Sequence, residues 1–282
     1  MKILMIGNSH SNDTFYQLGR VFNAQGYQEN VYIGFLYYSG CSLSQHIQFG
    51  TNDDAVYEFR TSDGDWWKHR IKVTLSSALQ EQPWDVVVII GAKSDITESL
   101  NERDRTALVE FVNRYLPTPH RFYWLTTWPS PTENSFFRPG DPFLEGYKAN
   151  LMNLYGFNRQ NQFGKNVIAV QNNIFSDPNF AGAICVGKGI MLATEKLGIP
   201  QTEIYRDYTH LNDFGRLIAS YCFYTQFTGK PVAEVKVDVI PAQNREERYR
   251  RLGDLTITAK MKDIIKTCAN GALADPWTVP EI

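Results

Sequence analysis

The sequence has few cysteines, and their arrangement indicates neither a disulfide framework nor a zinc site. Four cysteines are spread over 282 residues, with no Cys-x-x-Cys pair and no Cys/His cluster at metal-binding spacing; they are Cys41, Cys185, Cys222 and Cys268. Small disulfide-stabilised folds and structural zinc sites both require closely patterned ligands. The sequence therefore predicts no metal centre.

Long apolar runs and an excess of one charge are also missing. The first apolar run, Ile3–Ile6, is too short for a signal-peptide core or a membrane span. The formal net charge is -2, and the densest charged stretch, Arg245–Arg251, mixes both signs and is predicted to be a solvated face. We therefore expect a soluble, cytoplasmic protein that binds neither nucleic acid nor a membrane. A leader ahead of Met1 in the natural protein would change the expected location to export, and the oligomeric state is not indicated.

The sequence does contain apolar, β-rich runs that alternate with segments of helix length. The predicted strands are Ile3–Ile6, Asn30–Leu36, Asp85–Ile90, Arg121–Thr126 and Asn166–Gln171. The predicted helices are Asp13–Ala24, Lys68–Gln80, Glu102–Tyr115, Pro142–Leu154 and Gly187–Leu197. This alternation predicts a three-layer α/β/α sandwich around a mainly parallel, flavodoxin-like sheet of about five strands.

The last helix of the sandwich is predicted to begin after Asn212, an N-cap residue, and to end at Gly229. We assign residues 1–230 to one α/β domain and residues 231–282 to an extension packed on it, with an amphipathic stretch near Thr256–Cys268. The proline-punctuated segment Thr127–Asp141 is predicted to be a long loop beside a cleft.

Polar residues follow the first predicted strand in the opening stretch MKILMIGNSHS. Taken alone, Ser9 in this stretch could be a nucleophile, part of a phosphate-binding loop, or a helix cap. Far along the chain, Asp207 and His210 stand three residues apart, directly before the last helix. At that spacing a carboxylate can hold the imidazole Nδ1–H and leave Nε2 free to face a hydroxyl.

Two blocks, GNSHS near the N-terminus and DYTHLN near the C-terminus, resemble the first and last blocks of the SGNH, or GDSL-type, hydrolase superfamily. The resemblance covers Met1 to about Gly229. It implies that Ser9 is the nucleophile, that His210 is the general base and that Asp207 orients His210. It also implies that no cofactor is required.

The resemblance further implies an oxyanion hole formed by the backbone N–H groups of Ser9 and of Gly40, which stands in YYSGCSL. The family usually carries Gly-x-Asn-Asp after its third strand, and the Asn supplies a third donor. Here that place reads GAKSD and starts at Gly91. Either Lys93 or Ser94 replaces the missing Asn, or the hole has two donors.

Aromatic residues near the predicted strand ends suggest a surface for stacking on sugar rings, although a core or lid position is the commoner role of such residues. They are Tyr37, Tyr38, Trp66, Trp67, Trp124 and Trp128. His10, Tyr38 and Trp128 are the candidate substrate contacts. The favoured function is a serine esterase acting on a small-molecule or carbohydrate ester, with an acetyl ester on a carbohydrate as one candidate substrate. The alternatives are a flavodoxin-like FMN-binding module and a catalytically degenerate carbohydrate-binding protein.

Overall fold

The computed structural model of the protein describes residues 1–27, 31–62, 68–91, 102–245 and 247–280. Within these residues the main sheet has seven strands: β1 Lys2–Gly7, β2 Tyr32–Tyr37, β3 Tyr57–Ser62, β4 Lys68–Val73, β5 Val86–Ile89, β6 Arg121–Thr126 and β7 Phe180–Cys185. The strand order is β4-β3-β2-β1-β5-β6-β7.

Five of these strands, β2, β1, β5, β6 and β7, pair in parallel. β3 and β4 add an antiparallel hairpin to the free edge of β2. The prediction of an α/β fold with a mainly parallel sheet is therefore confirmed, and the parallel part has the order of a doubly wound sheet. The strand order reverses beside β1, so the loop after β1 lies where such sheets place their sites.

Helices cover both faces of the sheet. They are α1 Ser9–Phe15, α2 Leu18–Ala24, α3 Leu43–Asn52, α4 Leu75–Gln80, α5 Glu102–Tyr115, α6 Pro142–Tyr155, α7 Arg159–Asn173, α8 Val186–Met191, α9 Gln201–Ile204, α10 Asp213–Thr228, α11 Glu247–Arg250 and α12 Ala259–Ala274. A π-helical turn, Leu192–Lys196, continues α8, and β8 (Val239–Ile240) pairs with β9 (Leu255–Thr256). None of the described helices combines the length and the hydropathy that a membrane span needs.

The two faces of the sheet bury separate cores because strand side chains alternate in direction. On β1, Ile3 and Met5 belong to the core shared with α1, α2, α10 and α12, whereas Leu4 and Ile6 belong to the core shared with α4 and α5. The first strand is therefore buried on both faces. It ends at Gly7, where the carboxyl ends of the parallel strands meet.

The predicted strand Asn166–Gln171 is wrong, because this segment lies inside α7. Its apolar residues belong to a helical face: Phe163, Asn166, Val167 and Val170 are buried at the 3.6-residue period. The fifth parallel strand is β7, Phe180–Cys185. A short apolar run cannot be distinguished from a buried helix segment by its composition alone.

The predicted helix Lys68–Gln80 is also wrong in its first half. Residues 68–73 form the edge strand β4, whose charged side chains are exposed, as expected for a strand that must not pair with another chain. Thr74 then caps α4 through its side chain, which accepts a hydrogen bond from the Ser77 N–H.

The last helix of the sandwich is confirmed at both ends. The Asn212 side chain accepts hydrogen bonds from the backbone N–H groups of Phe214 and Gly215, each at 3.0 Å. Gly229 ends α10 with a φ of 68°, in the left-handed region that favours glycine. Beyond it, α12 packs along α10 and buries Ile265 in the core that α10 shares with the sheet.

Candidate active site

One side chain, Asn8, connects the loops that follow β1, β2 and β5. Its Nδ2 donates to the backbone oxygens of Cys41 (3.1 Å) and Gly91 (3.4 Å), and its Oδ1 accepts from the N–H of His10 (3.1 Å). Asn8 therefore caps α1 and holds three strand ends together. Its position directly after a buried strand and before a helix was the sequence signal that could have identified it.

Ser9, His210 and Asp207 form one continuous hydrogen-bonded chain. Ser9 is the first residue of α1, and its Oγ lies 2.9 Å from Nε2 of His210, although the two residues are 201 positions apart. On the other side of the ring, Nδ1 of His210 lies 3.0 Å from both carboxylate oxygens of Asp207. The structure thus brings together the three residues that the sequence named as a triad.

The environment of Asp207 keeps its carboxyl group charged. Burial alone would raise the pKa of Asp207, but hydrogen bonds from the His210 ring and from the backbone N–H groups of Thr209 and His210 outweigh it and lower the pKa to about 2. A carboxylate accepts but does not donate, so it favours the tautomer with the proton on Nδ1. In that tautomer Nε2 of His210 is an acceptor facing the Ser9 hydroxyl.

Asp207 and His210 lie on a loop that closes on itself at its base. Tyr205 and Leu211 form an antiparallel bridge, and the N–H of Arg206 donates to the His210 oxygen at 2.9 Å. At the tip of the loop, the Thr209 side chain bonds to Nε2 of His10 at 2.9 Å, and the Thr209 oxygen accepts from Nε1 of Trp128 at 2.9 Å.

The three candidate substrate contacts do not line the cleft beside Ser9. His10 is 9% exposed and stacks beneath His210 with ring centroids 5.4 Å apart, and Trp128 is completely buried against the edge of His10. Tyr38 packs on Phe49 and Tyr57. His10 and Trp128 do not face the cleft because they hydrogen-bond to Thr209 in residues 205–211, which we call the triad loop. Tyr38 does not face it because it packs against the core that the sheet shares with α4 and α5.

The remaining predicted site residues have different outcomes. Gly40 lies in the exposed turn after β2 with a φ of +63°, so the left-handed backbone explains the glycine. Lys93 and Ser94 lie outside the described residues, as do Trp66 and Trp67. The oxyanion hole remains a prediction.

A cleft of about 580 Å³ opens beside Ser9 and His210. One wall comes from α1 and the sheet edge and includes Asn12, Tyr37, Arg60 and His69. Arg60 is held in place because it donates to Asn12 Oδ1 (2.7 Å) and Glu58 Oε2 (2.9 Å) and lies over the Tyr37 ring.

The opposite wall comes from the C-terminal extension and includes Gln243, Asn244, Glu247 and Arg250. The expectation of a purely solvated charged face at residues 245–251 is wrong for Arg245, which is 6% exposed and donates to Asp213 Oδ2 at 2.6 Å. This buried ion pair fixes the extension to α10, so Glu247 and Arg250 reach the cleft.

Comparison with known proteins gives matches at two levels. A family model described as a domain of unknown function, DUF4886, matches residues 2–247. The chain is similar to the crystal structure of a DUF4886 family protein from Bacteroides uniformis ATCC 8492, with a TM-score of 0.79 and 22% identity over 100% of this chain and 98% of that one. It also has a TM-score of 0.39 to the crystal structure of an acetyl xylan esterase, AlAXEase, with 14% identity over 78% of this chain and 96% of that one.

No sequence among the curated proteins matches this chain. The similarity to the Bacteroides uniformis structure shows a shared fold, and the family model spans both the Ser9 segment and the Asp207–His210 segment. The chain belongs to the DUF4886 family, a domain of unknown function.

Proposed function

We propose that this protein is a serine ester hydrolase in which Ser9 is the nucleophile, His210 the general base and Asp207 the group that orients His210. The observation that carries the proposal is the chain of hydrogen bonds from the Ser9 hydroxyl through both ring nitrogens of His210 to Asp207. A serine hydroxyl is a weak nucleophile unless an oriented base removes its proton. A cap or a phosphate-binding loop would not require this arrangement.

In the proposed reaction, Oγ of Ser9 attacks the ester carbonyl while Nε2 of His210 takes the hydroxyl proton. The tetrahedral intermediate collapses when His210 returns that proton to the leaving alcohol oxygen, which leaves an acyl-Ser9 ester. Water then attacks the acyl group while Nε2 of His210 takes its proton, and collapse of the second tetrahedral intermediate returns that proton to Oγ of Ser9 and releases the acid. Asp207 stays ionised throughout and stabilises the imidazolium that forms in each half-reaction.

The backbone N–H groups of Ser9 and Gly40 are the proposed donors to the oxyanion. Both residues follow parallel strands, β1 and β2, whose carboxyl ends Asn8 holds together through the Cys41 oxygen. Losing one such donor typically costs about 10²–10³ in rate.

The alcohol part of the substrate is proposed to be a carbohydrate and the acyl group an acetyl. The described side chains that line the cleft all carry a hydroxyl, amide, guanidinium, imidazole or carboxyl group. Such a surface matches the hydroxyl groups of a sugar and offers little to a long acyl chain, which binds by burying apolar area.

The test of the proposed chemistry is labelling of the purified protein with a fluorophosphonate probe, followed by peptide mapping. We expect one adduct at Ser9, lost in Ser9→Ala and in His210→Ala. Two residues outside the cleft supply the controls: Ser176 is an exposed serine shortly before β7, and His120 stands directly before β6 with Nδ1 2.7 Å from the Thr118 oxygen. Ser176→Ala and His120→Ala should label at the wild-type rate.

The outcome also separates the alternatives. A folded wild-type protein that is not labelled near neutral pH contradicts the hydrolase and favours the degenerate carbohydrate-binding protein. A yellow protein with a flavin absorption spectrum favours the FMN-binding module. If Ser9 is labelled, hydrolysis rates for p-nitrophenyl esters of increasing acyl length and for acetylated sugars test the substrate class; a preference for long acyl chains would contradict the acetyl proposal.

A further inference from the structure

A buried carboxylate lies one helical turn beyond Ser9. Asp13 is on α1, four residues after Ser9, and is completely buried. Its two oxygens accept four hydrogen bonds from three residues, none of which is adjacent to it in sequence. A buried carboxylate is costly unless it is paired and fully hydrogen-bonded, so such a residue is retained for what it holds.

Two of these bonds hold the loop that carries Asp207 and His210. Nη1 of Arg206 lies 2.8 Å from Asp13 Oδ1 and 2.6 Å from the Leu211 oxygen. The N–H of Leu211 donates to Asp13 Oδ2 at 2.8 Å. Asp13 thus contacts the residues directly before Asp207 and directly after His210, which are the two ends of the loop.

The other two bonds prevent Asp13 from moving with the loop. Arg216 on α10 donates to Asp13 Oδ1 from Nε (2.8 Å) and Nη2 (2.7 Å), and the side chains of both residues are 0% exposed. The Arg216 guanidinium also lies over the ring of Tyr16, directly after α1. Both α1 and α10 therefore fix the carboxylate.

From these contacts we propose that Asp13 is a positioning residue that sets the distance between Ser9 and His210. Ser9 and Asp13 share one helix, and Asp13 fixes the base of the loop on which His210 stands. The Oγ–Nε2 distance of 2.9 Å is therefore defined through Asp13. This inference rests on the proposed function, since positioning matters only if His210 takes the proton of Ser9.

A second buried ion pair provides the matched control for a purely stabilising role. Nε of Arg105 lies 2.8 Å from Asp177 Oδ2, and their side chains are 4% and 8% exposed. Asp177 precedes the parallel strand β7, whereas Ser9 follows the parallel strand β1. The pair therefore lies at the amino ends of the parallel strands, and Ser9 lies at their carboxyl ends. Breaking it should lower stability without moving the triad.

The experiment compares Asp13→Asn and Arg206→Gln with Arg105→Gln. For the first two variants we expect fluorophosphonate labelling of Ser9 to slow by about 10- to 100-fold, because a small misplacement of reacting groups costs rates of that size. With p-nitrophenyl acetate, kcat should fall by the same factor while KM changes by less than about threefold. Arg105→Gln should melt at a lower temperature than the wild type and label at the wild-type rate.

Arg206→Lys should recover part of the rate lost in Arg206→Gln, because an ammonium can still donate to both Asp13 and the Leu211 oxygen. Arg206→Gln decides the question if Asp13→Asn does not fold. Wild-type labelling rates in a folded Asp13→Asn or Arg206→Gln overturn the positioning role alone. An equal rate loss in Arg105→Gln overturns it in favour of general destabilisation. Absence of labelling in the folded wild type overturns the proposed function and the positioning role together.

Discussion

Replacing Asp207 by Asn changes the charge of the proposed triad but hardly its shape. Each carboxylate oxygen of Asp207 lies 3.0 Å from Nδ1 of the His210 ring. Oδ1 also accepts hydrogen bonds from the backbone N–H groups of His210 (2.8 Å) and Thr209 (3.0 Å). An Asn can keep Oδ1 on the two backbone donors, and its NH2 group then faces Nδ1. That contact favours the tautomer with the proton on Nε2, which cannot accept a proton from Ser9.

The expected loss of activity follows from that wrong tautomer. Removing the carboxylate also removes the charge that stabilises the imidazolium in the transition state. The two effects together should lower kcat by about 10³–10⁴, equivalent to about 4–5.5 kcal/mol in the activation barrier. KM should change little, because Asp207 acts through His210.

Asp207→Asn should also alter stability in acid. The pKa of Asp207 is lowered to about 2 in the folded protein, so its stabilisation is present above about pH 4 and is lost as the pH falls towards 2. Because the side chain is 28% exposed, solvent reduces this contribution to about 1 kcal/mol. The variant should be less stable than the wild type by that amount at pH 7, and the difference should vanish near pH 2.

The assay is the second-order rate of fluorophosphonate labelling at Ser9 from pH 5 to 9, together with kcat and KM for p-nitrophenyl acetate. Urea unfolding at pH 7 and at pH 2 measures the stability difference. His120→Ala, which lies before β6 and outside the cleft, is the control. If Asp207→Asn is labelled within about tenfold of the wild-type rate at pH 7, the claim that Asp207 orients His210 is refuted.

Three further predictions concern the fold. Burial lowers the pKa of His46 from 6.5 to about 3, so between these pH values the unfolded chain binds a proton that the folded protein does not. In urea unfolding, the wild type should therefore lose about 1–2 kcal/mol more stability than His46→Gln when the pH falls from 6.5 to 5. Equal losses in the two proteins would contradict this. A Cβ on Gly187 would lie 2.2 Å from the backbone oxygen of Thr127, so Gly187→Ala should lower the free energy of unfolding by about 1–3 kcal/mol. Gly146→Ala is the control, because nothing lies within 4 Å of the added atom, and it should not destabilise the protein. Ile265 of α12 is completely buried, so Ile265→Ala should cost about 2–5 kcal/mol and leave one unfolding transition; two transitions would show that the extension folds separately.

Sequence patterns predicted the elements whose signals are local. The apolar run at Asp85–Ile90, the period of Glu102–Tyr115, and the caps at Asn212 and Gly229 depend on neighbouring residues, and the structure confirms each of them. For residues 166–171 and 68–73 the sequence prediction is wrong, because packing decides their conformation. One becomes the buried face of α7 and the other an edge strand paired with β3.

By itself, the sequence determined that Ser9 follows a buried first strand and that Asp207 and His210 precede the last helix of an α/β domain. A carboxylate and an imidazole three residues apart can be recognised without coordinates, because the interaction between them is local. Tertiary structure alone decided what surrounds these residues. It placed Asp13 against Arg206 and Arg216, buried His10 and Trp128 under the triad loop, and brought Gln243, Asn244, Glu247 and Arg250 to the cleft. Those contacts join residues up to about two hundred positions apart, and only the burial of both sheet faces brings them together.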